Sequence, residues 1–191
     1  MFDVRENVSI QSFNGNGLGM EFLNDDLLTL VEKYSSKGII PDEELNEEIA
    51  IRLEFLKLAI PVKGSEKSLA WTAREFGSEM EIPYVVRFYF LNGKNWRKAI
   101  EEYFKVIGER NPGEFIEIFR EIVNRAKNLI ICAEDIVDIA MRHKKEPGAL
   151  ISELKGSGLI SPSMGCGGLG NVKAPLYEIN RFFAILLKIE D

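Results

Sequence analysis

The chain has 191 residues, 46% hydrophobic and 28% charged, with a formal net charge of −6, which suffices for one full domain or two small ones with real cores. No apolar run reaches the roughly 18 residues that span a bilayer, and Met1-Phe2-Asp3-Val4-Arg5-Glu6 lacks the basic-then-apolar order of a signal peptide, so a cytoplasmic protein with no membrane contact is expected. Two cysteines, Cys132 and Cys166, and a single histidine cannot build a disulfide framework or a Cys/His zinc site, and no cofactor or metal is expected.

The polar residues are biased towards ions: 23 Glu, 14 Lys and 10 Arg stand against one Gln and one His, the balance of a thermophilic surface, although 12 Asn run against it. Charge is uneven along the chain, −7 over residues 1–91, −1 over 92–140 and +2 over 141–191. An anionic partner is therefore expected at the C-terminal part, and a protein contact at the acidic N-terminal part, which nucleic acid would repel.

In chain order, Val4 to Ile10 alternates apolar and polar, and the turn-rich Asn14 to Gly19 precedes Met20-Glu21-Phe22-Leu23, the pattern of a hairpin or loop. Asn24 caps a helix with Asp25 and Asp26 in its first turn and Leu27, Leu28, Leu30 and Val31 inward, ending near Ser36-Lys37-Gly38. Pro41 at N1 opens a second helix, with Leu45, Ile49, Leu53, Leu56 and Ile60 on one face until Pro61 stops it. Residues 65–76 give a third. Residues 82–91 combine strand-favouring aromatic and β-branched side chains with a Pro83 that can begin a helix, and helix is preferred. Asn95 caps a further helix over 96–108 with Ile100, Tyr103, Phe104 and Ile107 inward, and Arg110-Asn111-Pro112-Gly113 breaks it at the best candidate for a domain seam. No internal repeat is visible.

Beyond Pro112 the pattern sharpens. Phe115, Ile118, Phe119, Ile122 and Val123 form one helix face. Leu129-Ile130-Ile131-Cys132 reads either as a short strand or as part of a longer buried helix, with Cys132 in the core. Glu134 to His143 is a helix with Ile136, Val137, Ile139 and Ala140 apolar; Pro147 then sits at N1 of a short helix that Gly156 and Gly158 end. Leu159-Ile160-Ser161 and Pro175 to Ile179 pair as strands around a glycine-rich tip, and Asn180 caps a last helix from Arg181 to Ile189.

The order helix, strand, helix, turn, helix, strand, glycine-rich tip, strand, helix over 112–191 resembles the winged helix-turn-helix superfamily. The fold expected is mainly α, a helical part over 1–111 and a winged-helix-like part over 112–191 with a small hairpin wing. The resemblance implies that Pro147 to Leu154 lies in a DNA major groove while the wing touches backbone. That helix carries no Arg, Asn or Gln for base edges. What remains is a backbone-binding set of Arg142, His143, Lys144, Lys145, Lys155, Lys173 and Arg181, suited to DNA or RNA phosphates. The bland reading of residues 142–145 is that they complement the negative end of their own helix. The function expected is a non-enzymatic nucleic-acid-associated protein, a regulator or nucleoprotein subunit, with a winged-helix protein-interaction module as the alternative.

Other motifs carry less. Gly165-Cys166-Gly167-Gly168-Leu169-Gly170 matches the dinucleotide G-x-G-x-x-G pattern, but Pro175 interrupts the helix that should follow, and a wing tip is favoured. The Gly15, Gly17, Gly19 cluster lacks the Lys and Ser/Thr of a P-loop. Glu43, Glu44, Glu47 and Glu48, and Glu134, Asp135 and Asp138, could offer paired carboxylates, yet solvated helix faces account for both. Trp71, Tyr84, Phe88 and Tyr89 are read as core. No heptad run specifies an oligomer.

Overall fold

A computed structural model of the chain describes residues 23–62, 79–163 and 175–190. The readings at 4–23, 65–76 and 165–170, with Trp71, Cys166 and Lys173, lie wholly or almost wholly outside that set. The described chain is mainly α-helical with two small antiparallel sheets. Among the described residues no helix is long and apolar enough to cross a membrane.

The first half runs α1 (Asp25–Tyr34), β1 (Ile39–Ile40), a 3-10 turn (Asp42–Glu44), α2 (Glu47–Leu56), β2 (Ile60–Pro61), β3 (Met80–Glu81) and α3 (Tyr84–Leu91). Asn24 starts α1 by accepting the Leu27 N–H at 2.9 Å. The single helix read from Pro41 to Ile60 is corrected. Pro41 and Leu45 are extended, and the Asn46 side chain takes the Ile49 N–H at 2.9 Å, so a fresh helix starts there. Its end comes before Pro61: Lys57 turns left-handed at φ 58°, its N–H and that of Leu58 bond back to Glu54 and Leu53, and Ile60 enters a strand. Residues 82–91 are helical from Tyr84, with Pro83 just ahead of the first turn.

α4 (Trp96–Val106) follows, capped by Asn95 on the Lys98 N–H at 3.0 Å. The second half is α5 (Glu114–Arg125), β4 (Ile130–Cys132), α6 (Ala133–Arg142), α7 (Pro147–Ser157), β5 (Ile160–Pro162), β6 (Leu176–Ile179) and α8 (Arg181–Glu190). β6 lies between β4 and β5 and pairs antiparallel with both. Of Leu129-Ile130-Ile131-Cys132, the last three residues thus resolve to strand, with Leu129 in the turn before it at φ 61°. Gly156 does not end α7, which runs on to Ser157; a Cβ at Gly156 would lie 2.7 Å from the Tyr103 hydroxyl, and that close approach is what the glycine permits. Gly158, left-handed at φ 86°, is the true stop.

One apolar core joins α1 to α8 and crosses the 110–113 break. Phe104 of α4 and Phe115 of α5 stack with centroids 3.5 Å apart, and Tyr89 of α3 meets Phe182 of α8 edge-on at 5.1 Å. Burying each such ring contributes roughly 1.5–3 kcal/mol. Two inward readings are corrected: Tyr84 is 49% exposed and Ile107 43%, because each lies at an end of its helix, and the apolar Val137 is 36% exposed on the outer side of α6. Cys132 is half-buried at the start of α6, not core, with Sγ 2.9 Å from Asp135 Oδ2.

Candidate nucleic-acid interface

The cationic run Arg142-His143-Lys144-Lys145 falls on the end of α6. Lys144 adopts φ 55°, its N–H bonds to the Met141 carbonyl and that of Lys145 to the Ala140 carbonyl, a Schellman turn with a lysine where glycine is usual. This turn points three of the four cations at α5. His143 has Nδ1 3.1 Å from Glu114 Oε1 and Nε2 3.0 Å from Glu121 Oε1. Arg142 also bonds Glu121. Lys145 bonds Glu109, lies 4.0 Å from Glu114, and covers the Phe115 ring at 4.6 Å.

The imidazole is clamped on both sides, and a neutral ring has only one N–H to give. Only the protonated ring can donate to both carboxylates. Burial pulls the His143 pKa down, but the hydrogen bonds and charges of Glu121 and Glu114 outweigh it, and the net shift is upward. Glu121 is correspondingly held below the ordinary carboxylate range, first by His143 and then by Arg142 and Arg125. Glu153 of α7 is pushed up by burial and by the neighbouring Glu109.

The N-terminus of α7 is where a winged helix would meet phosphate. Here the Glu146 side chain occupies it, accepting the Gly148 N–H at 2.9 Å and the Ala149 N–H, and those bonds lower its pKa. The outward face of α7 is Gly148, Ala149, Ser152 and Lys155. At the far end of the fold, Arg181 has a side chain only 13% exposed, donates Nε–H to the Phe55 carbonyl at 3.2 Å, stacks on the Phe55 ring at 4.0 Å and lies 3.8 Å from Glu178. It ties α8 to α2.

The seven residues read as one set therefore do not assemble as one among the described residues. Lys144 and Lys155 are exposed and have no carboxylate partner there; Arg142, His143, Lys145 and Arg181 are engaged within the fold. Sequence reasoning missed Glu109, Glu114 and Glu121. The available signal was the seven-residue separation of Glu114 and Glu121, which puts both on one helix stripe ahead of a basic turn.

Four of the seven carboxylates in the two acidic clusters are likewise paired. Glu44 accepts from Lys33 at 2.6 Å and Tyr34 at 2.8 Å, Glu48 meets Arg52 at 2.9 Å, and Asp135 and Asp138 lie 3.7 and 3.8 Å from Arg125. No group of three or more metal-ligating side chains occurs among the described residues. Burial and then Asp135 raise the Cys132 thiol, which leaves it a poor nucleophile.

No curated protein and no solved structure matches this chain. A protein-family model matches residues 17–190, and the chain belongs to that uncharacterised family.

Proposed function

We propose that residues 112–191 are a winged helix-turn-helix that serves as a protein-docking module in the cytoplasm. Support for the architecture is the element order α5, β4, α6, α7, β5, β6, α8 together with a sheet in which the last strand lies between the other two. One observation carries the docking role: the N-terminus of α7 is filled by its own Glu146, while Arg142, His143 and Lys145 neutralise carboxylates of the fold. A DNA-reading helix leaves those groups for phosphates and base edges. Winged helices also serve as protein-interaction modules.

Backbone binding to nucleic acid is the second reading, favoured by the exposure of Lys144 and Lys155. Lys144, Lys155 and Lys173 acting together would release about three counterions, a log–log salt slope of roughly −2.7 on duplex DNA. The test is a salt titration of the full chain on duplex DNA and single-stranded RNA, paired with a photocrosslinking residue at Ser152 in cell extract. Docking predicts no salt-sensitive binding and protein adducts at position 152. Nucleic-acid adducts there, or a slope near −2.7 that charge reversal at Lys144, Lys155 and Lys173 removes, would overturn it in favour of the second reading.

A further inference from the structure

The two small sheets share one topology. In each, three strands order as first, third, second, all antiparallel. The registers also coincide: Ile39 and Ile60 both face Glu81, while Ile130 and Ser161 both face Glu178; Ile40 and Pro61 face Met80, while Ile131 and Pro162 face Tyr177. Since a slip of one residue would send every side chain to the other face, coincidence at all four pairs is a demanding match.

The surroundings repeat too. In each half the residue before the first strand accepts an N–H from the residue after the third, Gly38 from Ile82 and Leu129 from Ile179, both at 2.8 Å. Each helix before the second strand ends in the same turn, with Lys57 and Gly158 left-handed and Leu58 and Leu159 bonding back to Leu53 and Leu154. The exposed positions on α2, Glu47, Glu48 and Ile51, correspond to exposed Gly148, Ala149 and Ser152 on α7. The 3-10 turn Asp42–Glu44 stands where α6 stands, and α4 has no counterpart.

Contacts between the halves exchange under this correspondence. α2 packs on α8, and its equivalent α7 packs on α3, the equivalent of α8. Asn180 donates to the Lys57 carbonyl at 3.1 Å; the matching pair, Pro83 and Gly158, meets so closely that a Cβ on Gly158 would lie 2.4 Å from Pro83 Cβ. A contact set that maps onto itself when the partners are swapped is the mark of an isologous, two-fold interface.

We infer that the described residues of 25–91 and of 114–190 are two copies of one unit, joined by α4 and packed about an internal pseudo-two-fold axis, so that the chain contains its own dimer and covers its own dimerisation face. The face formed by α3 and α8 is occupied by the other half, leaving no second chain to recruit there. The inference stands on the registers and the exchanged contacts, and holds whether or not α7 docks protein.

Two measurements on the full chain test it. Sedimentation equilibrium should give the single-chain mass of 21.7 kDa from roughly 1 to 200 μM, with a melting temperature that does not change with concentration. A reversible dimer with concentration-dependent melting would overturn the covered face. The second uses the equivalence of Pro83 with Asn180, whose Oδ1 accepts the Phe183 N–H at 3.1 Å while Pro83 gives α3 no side-chain cap. Pro83→Asn should cap α3 and slow exchange of the Val86 amide about fivefold, the usual effect of such a cap. An unchanged Val86 amide in the folded variant would show that the positions are not equivalent.

Discussion

Gly158→Ala tests the packing of the two halves at its tightest point. Gly158 holds φ 86°, and an added Cβ would lie 2.4 Å from Pro83 Cβ, 3.4 Å from its Cγ and 3.5 Å from its Cα. Neither side can yield freely, because Pro83 is a ring locked at the start of α3. A left-handed alanine costs about 1 kcal/mol, and forcing a methyl into packed atoms adds about 1–3 kcal/mol. The sum, about 2–4 kcal/mol, corresponds to a fall in Tm of roughly 5–15 °C for a chain of this size. Gly93 separates the two contributions, since it holds φ 71° with nothing within 4 Å of the place an added methyl would take. Gly93→Ala should therefore lose only the conformational part, roughly 2–4 °C. Urea titrations should show a lower midpoint with an unchanged slope for both. If Gly158→Ala proved no worse than Gly93→Ala, the contact between Pro83 and Gly158 would not exist and the packing of α3 on α7 would be refuted.

His143 sets a pH dependence. Its folded pKa is raised, so its contribution is complete below the ordinary histidine value and is lost as pH rises through the folded value. Urea midpoints from pH 5 to 9 should fall across that window in the parent and stay flat through it in His143→Gln, a clean comparison because the chain has one histidine. Lys144→Gly relieves a left-handed lysine at φ 55° and should raise Tm by roughly 1–3 °C; a decrease would mean that the lysine side chain contributes more than its backbone costs. Asn180→Ala removes two donated bonds, to Lys57 and Gly158, and the α8 cap, for a loss of about 2–4 kcal/mol by chemical denaturation. A loss below about 1 kcal/mol would show that solvent replaces those bonds.

Local signals were legible where a side chain acts on its own backbone. Asn24, Asn95 and Asn180 each announce a helix start, and each caps one. Asn46 sends the same signal, but the periodicity of Leu45, Ile49 and Leu53 ran across it and concealed the break. The two-residue strands β1, β2 and β3 are too short to show alternation, and they exist only because they pair with one another. The duplicated unit is hidden for the same reason: what the halves share is register, and the shared residues reduce to fragments such as Glu81-Ile82 and Glu178-Ile179. The surroundings of the candidate site were hidden differently. Arg142, His143, Lys145 and Arg181 each have a partner 21 to 126 residues away, at Glu121, Glu114, Glu109 and Phe55. Charge along a chain does not reveal which charges have already been answered.

Lys57 and Gly158 occupy the same turn in the two halves and solve it differently. The lysine accepts a strained backbone and sends its ammonium to Glu178 at 2.8 Å, while the glycine makes room for Pro83. Two identical subunits would have to choose one residue for both places. Lysine at both would collide with the proline, and glycine at both would forfeit the ion pair. Joining the copies in one polypeptide frees each side of the axis to specialise, so the asymmetry at this turn is a freedom that a pair of identical subunits lacks.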